Sequence, residues 1–295
     1  MDFDPDLSQA RRGDVLRTVL APFVQSHDQR ADRHDADLDA AVASEPVLTG
    51  PGLSVLDRVL LVEEAALWGA PVDATATLLV RPLLGGAVVG PIALRTATGD
   101  GPVRFGAGAT SVVDVTGELP TVAAVTGFDP VASGAAAGYG RVRVGTASPL
   151  GWSASLPPLA LVQLGRAAEI AGVTMGAVAD VAAYLGERQQ FGRSLSSFQG
   201  LQHRLAELAV DAHGVSVSVR TAAHAGTPTA ALGAAAYAID VVARAVPELH
   251  QLSGARGFTF ESGLPARTMR LLATRLELTA SGVSPEAFAT ATWGD

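Results

Sequence analysis

The feature that most constrains the fold is an Ala-rich, amphipathic run from Leu156 to Leu185. A segment of that length with one apolar stripe must bury the stripe against further helices. The rest of the C-terminal half supplies them. Phe198, Leu201, Leu205, Leu208 and Ala212 recur at helical spacing, Ala230–Leu252 predicts a third helix, and Pro265–Leu278 predicts a fourth. Four antiparallel helices joined by short links form a bundle. Aromatic residues are only 5% of the chain, so the core must be built from small aliphatic side chains, which favours close helix packing.

Upstream the texture differs. Val15, Leu16, Val19, Leu20 and Phe23 predict one helix, and Leu56, Val59, Leu60, Val62 and Glu63 through Trp68 another. The polar stretch Ser26–Asp39 between them reads as a solvated helix face or loop. From about 71 to 150, apolar runs at Ala87–Leu94, Ser111–Val115, Pro120–Val125 and Gly140–Gly145 are bounded by Gly, Pro and Asp, the pattern of short strands and turns. Arg141-Val-Arg143-Val alternates as a half-exposed strand does. The expected fold is mostly α with a small β domain and a C-terminal four-helix bundle. Its regions are a short N-terminal helical one (1–70), a β domain (71–150) and the bundle (151–295).

With 48% hydrophobic and 17% charged residues the chain is expected to fold. All 21 basic residues are arginine, which removes lysine-based catalysis such as a Schiff base. The formal charge of −8 and the lack of a basic run with interleaved aromatics argue against nucleic acid as a partner. The absence of cysteine excludes disulfides, thiolate nucleophiles and cysteine-bound metals. Met1–Arg12 lacks the apolar region of a signal peptide, and the apolar runs near Val72–Ile92 and Leu156–Val162 are interrupted by Gly, Pro, Asp or Arg. A soluble cytoplasmic protein without a membrane partner is therefore the expectation.

Two motifs carry more. The first is Tyr184-Leu-Gly-Glu-Arg188-Gln-Gln-Phe191-Gly-Arg-Ser-Leu-Ser-Ser-Phe-Gln199. The second, downstream, is Gln251-Leu-Ser-Gly254-Ala255-Arg-Gly257-Phe258-Thr-Phe-Glu261. Together they resemble the acyl-CoA dehydrogenase family, where Arg-x-x-Phe-Gly turns between two bundle helices, Phe-Gln opens the next, and Gln-x-x-Gly-Gly-x-Gly-Phe begins the last helical hairpin. The resemblance covers roughly Leu156–Leu278. It implies FAD as cofactor. Arg188 would meet the diphosphate with paired donors, Phe191 would pack on the cofactor, and Gln199 would lie at a helix N-terminus, where free N–H groups favour anions. Gln251, Gly254 and Ala255 would admit the ADP portion to the backbone. In the family these groups reach into a neighbouring subunit's FAD. Taken singly, the same residues also admit an architectural reading, with Arg188 capping a helix and Gly254 and Gly257 ending one.

The chemistry of the family is less well kept. Its α-proton base is the Glu of an Ile-Tyr-Glu-Gly-Thr segment, or else a Glu on the helix before the arginine turn. Here the first stretch reads Leu271–Ala280 without that motif, and the second position falls near Val162. The Thr-Glu-Pro and Gly-Ser-Asp elements that hold the flavin ring are absent between Leu78 and Leu150. Glu261 and Glu169 are the substitute catalytic candidates, with Glu277 beside them. Glu261 is read chiefly as structural or capping, and Glu169 and Glu277 as solvated helix faces. His203 and His250 lack a carboxylate partner at a telling spacing. No metal site is expected, because no Glu-x-x-His pairs occur, and no Gly-x-Ser-x-Gly elbow marks a hydrolase.

Three functions stay open. The chain resembles the shortened subunit of a hetero-oligomeric dehydrogenase of lipid or steroid catabolism. In that case it would complete the FAD site of a full-length acyl-CoA dehydrogenase partner, which binds the acyl-CoA thioester and supplies the base for α,β-dehydrogenation. It could instead be a self-sufficient oxidoreductase with a displaced carboxylate, or a non-enzymatic scaffold that keeps the bundle for assembly.

Overall fold

A computed structural model describes residues 6–24, 35–85, 88, 90–99, 101–131 and 139–294. The N-terminal part is helical: α1 (Leu7–Val24), α2 (Ala36–Ala43), the single turn α3 (Pro46–Thr49) and α4 (Val55–Leu67). Ser54 and Asp57 form a capping box at the start of α4, each side chain accepting from the other's backbone N–H. Thr75–Val80, within the region assigned to the β domain, is a π-helical turn packed on the bundle. Every residue of it is buried, so its β-branched residues serve packing between helices and not a pleat. Of the polar stretch expected to be solvated, residues 26–34 lie outside the described residues. Asp39, at its end, is buried and accepts from Arg81 (3.1 Å) and the Thr77 hydroxyl.

The strands are β1 (Leu84–Gly85), β2 (Ile92–Arg95), β3 (Ser111–Asp114), β4 (Thr121–Pro130), β5 (Gly140–Val144), β6 (Ser148–Pro149) and β7 (Gly151–Trp152). Of the four predicted strand segments, three are described throughout; in the first, Ala87 and Val89 lie outside the described residues. The main sheet has the order β2-β3-β4-β5, with β6 also on β4; β2 and β3 are parallel, and the other pairs are antiparallel. β5 alternates buried and exposed residues as its Arg-Val-Arg-Val sequence requires, with Val142 inside and Arg141 and Arg143 outside.

The bundle consists of α5 (Pro158–Glu187), α6 (Gln199–Ala225), α7 (Pro228–Ser253) and α8 (Leu264–Ala280), joined by α9 (Pro285–Trp293), which packs on α7. A two-residue hairpin, β8 (Gln189–Gln190) with β9 (Arg193–Ser194), lies in the link between α5 and α6. By length and composition α5 and α7 could each cross a membrane; here both pack against helices along their length. Small residues explain how closely. A Cβ added at Gly172 would lie 2.1 Å from the Glu63 carbonyl, and one at Gly176 would lie 2.6 Å from that of Leu67. With no side chain at those two places, α5 brings its backbone against α4.

Candidate functional site

The residues of the two motifs gather at one end of the bundle. Arg188 is the C-cap of α5, and its N–H donates to the Tyr184 carbonyl (2.9 Å). The hairpin then turns through Phe191 (φ 52°) and Gly192 (φ 80°). A two-residue turn of this hand needs positive φ at both central positions, which Asn-Gly satisfies readily. Phenylalanine there costs roughly 1 kcal/mol or more in steric strain. The side chain gains little from the fold in return, being 87% exposed with an edge-on ring contact to Phe198. The hairpin closes as the Leu195 N–H donates to the Arg188 carbonyl (2.9 Å), and Phe198 is the N-cap of α6, with Gln199 its first residue.

The second motif meets the same helix end. Gly254 is the C-cap of α7 at φ 58° and ψ −149°, a backbone region open almost only to glycine. A Cβ at that position would touch nothing within 4 Å, so conformation, not space, demands the glycine. Arg188, Gln199, Gln251, Gly254 and Ala255 are all exposed. Arg256 of this turn lies with its guanidinium 5.0 Å from the centre of the Tyr184 ring, which joins the two motifs in space. Phe258 is 70% exposed and stacks on His250 (4.5 Å), while His250 Nε2 is 3.0 Å from the Thr268 hydroxyl. His250 is thus a packing residue, and burial lowers its pKa.

The carboxylates are placed otherwise than the sequence suggested. Glu169 and Glu277, read as solvated, are both buried, Glu169 completely. They belong to an interior cluster of three arginines and three acids. Arg104 donates to Glu169 (2.6 Å) and to the Thr274 hydroxyl (2.7 Å). Arg166 makes a two-pronged bond to Asp73 (2.5 and 2.8 Å) and reaches Glu169 (3.2 Å) and Glu277 (3.0 Å). Arg270 donates to Glu169 (2.7 Å) and to the Ala70 carbonyl (2.8 Å). Burial by itself would raise the Glu169 carboxyl, but Arg104, Arg270 and Arg166 outweigh it and hold the pKa well below the carboxylate range. A base needs a free lone pair aimed at the proton it takes. Both Glu169 oxygens are bound by arginines inside a fully buried cluster, which argues against its expected part as a displaced base. Burial raises the Glu277 carboxyl, against the pull of Arg166 and Arg104. Glu261 is exposed in a short 3-10 turn and does not cap α8, whose N-cap is Gly263 without a side-chain bond.

Arg104 and Glu277 border a cavity of about 340 Å³ between the sheet and α8, walled by Leu94, Val103, Tyr139 and Leu276. The Tyr139 hydroxyl donates to the Ala273 carbonyl (2.9 Å). Val162, at one of the family's base positions, is buried in an apolar cluster with Ile92, Leu94 and Val113. Leu271–Ala280, at the other, is continuous helix. The sequence reading missed Asp73, Arg104, Arg166 and Arg270. One signal was available: Arg166 and Glu169, three residues apart, flank Ala167 and Ala168 and precede Ile170 and Ala171, where a solvated face would be polar on both sides.

Comparisons with known proteins agree with the motifs. Residues 150–278 match the family model described as acyl-CoA dehydrogenase, C-terminal domain. The short-chain specific acyl-CoA dehydrogenase of Clostridium acetobutylicum is 40% identical over 106 residues, which cover 33% of this chain and 27% of that protein. Among solved structures, the ChsE4–ChsE5 complex from Mycobacterium tuberculosis has a chain similar over 99% of both lengths, at a TM-score of 0.77 and 18% identity. A steroid acyl-CoA dehydrogenase, the Tcur3481–Tcur3483 G363A variant, has one similar over 93% of this chain and 98% of its own, at a TM-score of 0.63 and 21% identity. At those identities the structures establish a shared fold.

Proposed function

Since the chain carries the C-terminal domain of the acyl-CoA dehydrogenase family on the fold of that family, we propose that it acts as a subunit completing the FAD site of a full-length partner. The single observation that carries the proposal is Phe191: a strained residue whose ring is presented almost wholly to solvent, beside the exposed Arg188 and the glycine-only turn at Gly254. Strain of that kind persists where function requires it.

The residues at the bundle end fit such a cofactor. Arg188 offers planar paired donors to a diphosphate, Gln199 stands at the N-terminus of α6, where the helix favours negative charge, and Gln251, Gly254 and Ala255 leave the backbone open to close approach. The junction between the sheet and the bundle fits it less well. There the six-residue ion cluster fills the interior, and the neighbouring cavity is about 340 Å³, room for a ring system but not for a whole dinucleotide. FAD, when bound, supplies the hydride acceptor for α,β-dehydrogenation of an acyl-CoA thioester. This chain's part is to bind and orient, with the base supplied by the partner, because neither family base motif is kept here and Glu277, the one carboxylate in Leu271–Ala280, is ion-paired with Arg104 and Arg166. Neighbours that are two-protein assemblies, one named a steroid acyl-CoA dehydrogenase, support a hetero-oligomer acting in lipid or steroid catabolism.

The test is purification alone and after co-expression with the full-length homologue encoded nearest to it. Alone, the chain is expected to be colourless; the complex should be yellow, active and bleached by Arg188→Ala. A yellow, active assembly of this chain by itself would instead establish a self-sufficient enzyme. Flavin content indifferent to Arg188→Ala would leave a scaffold.

A further inference from the structure

The bundle end carries more positive charge than Arg188 alone, and its distribution is informative. Elsewhere exposed arginines do form ion pairs: Arg17 with Asp14, Arg143 with Asp129, and Arg244 with Asp211 and Asp240. Acids are abundant, with 29 Asp and Glu against 21 arginines. Yet among the described residues Arg188, Arg193 and Arg256 make no ion pair, although they cluster. Arg193 is in the hairpin, opposite Gln190 in register, and Arg256 lies over the ring of Tyr184, one helical turn before Arg188. Arg11, Arg141 and Arg275 also lack a carboxylate partner among the described residues, but they are dispersed over α1, β5 and α8. The C-terminus of α5 accounts for one nearby cation at most, since a helix end carries about half a charge.

Two of the three are also pre-positioned. The Arg193 guanidinium lies 4.0 Å from the centre of the Phe198 ring, and Phe198 meets Phe191 edge-on at 6.0 Å. Arg256 is over Tyr184 at 5.0 Å. A guanidinium laid on an aromatic face keeps its in-plane N–H donors free, and it has less rotamer freedom left to lose when an anion arrives. Three like charges brought together without a counter-ion repel one another, and an incoming polyanion removes that cost.

We propose that Arg193 and Arg256 bind the same dinucleotide diphosphate as Arg188, as a three-guanidinium clamp, with Tyr184 and Phe198 as the positioning residues beneath two of its members. This rests on the reading that the bundle end meets a partner's FAD. It adds two ligand-binding arginines, together with the requirement that each be planar and stacked.

The experiment is FAD titration of the deflavinated complex, followed by flavin fluorescence at two salt concentrations, for the parent and for Arg188→Gln, Arg193→Gln, Arg256→Gln, Arg256→Lys and Tyr184→Leu. Losing a charge-assisted bond weakens binding roughly tenfold or more, so each Gln variant should lose about that and show a shallower salt dependence. Arg256→Lys should not restore affinity, and Tyr184→Leu should weaken binding in the parent but not in an Arg256→Gln background. Parent affinity and salt dependence in both Arg193→Gln and Arg256→Gln, with Arg188→Gln impaired, would overturn the clamp while leaving the shared-FAD reading intact. Parent affinity in Arg188→Gln as well would overturn both.

Discussion

Phe191 holds a left-handed backbone conformation that disfavours its own side chain, and its ring contributes little to the core because it is almost fully exposed. Replacing it with asparagine, which tolerates that conformation, should stabilise the isolated chain by about 1 kcal/mol. The same change should lower the flavin retained by the complex. Thermal unfolding of the chain and flavin content of the assembly, measured side by side, test both halves of that trade. Glu169 is the opposite case, a charge held entirely by the interior. Glu169→Gln leaves Arg104 and Arg270 under-compensated and should cost roughly 3–5 kcal/mol at neutral pH. Because its carboxyl titrates below the unfolded value in the folded chain, its contribution is complete above about pH 5 and is lost as the pH falls through the lowered pKa. Urea midpoints across the acid range should therefore fall more steeply for the parent than for the variant.

At the scale of elements, the contact between α4 and α5 depends on the missing side chain of Gly172. Gly172→Ala places a methyl 2.1 Å from the Glu63 carbonyl, and separating the helices to admit it should cost about 1–3 kcal/mol, readable as a lowered denaturation midpoint. The bundle helices were legible because Leu156–Leu185, Ala230–Leu252 and Pro265–Leu278 repeat their apolar residues over several turns, long enough for period to outweigh local accident. Arg188, Phe191 and Gly254 were legible through motif spacing, and the structure brings them to one end of the bundle. The ion cluster was not legible. Its bonds join residues as far apart as Arg166 and Glu277, and a charged residue on a helix carries no local mark of whether it faces water or another charge. The π-helical turn at Thr75–Val80 was not foreseen for a related reason, since β-branched residues suit a strand and a buried helical turn alike.

At the scale of the molecule, Phe191 and Phe258 are 87% and 70% exposed on the two motifs at the bundle end, the face that the proposed partner would cover. Without a partner the chain should self-associate or aggregate; light scattering should show this relieved on co-expression, and a stable, soluble monomer would count against obligate pairing. The ion cluster, meanwhile, fastens three stretches of the chain at one point: Asp73 after the N-terminal helices, Arg104 from the sheet, and Arg166, Glu169, Arg270 and Glu277 from the bundle. A chimera that borrows residues 71–150 from a homologue must therefore bring an arginine to position 104 or leave Glu169 and Glu277 each with one cation fewer in the interior. Arg104 lies between β2 and β3, so grafts chosen by strand boundaries alone will fail at this residue, and the three stretches must be exchanged together.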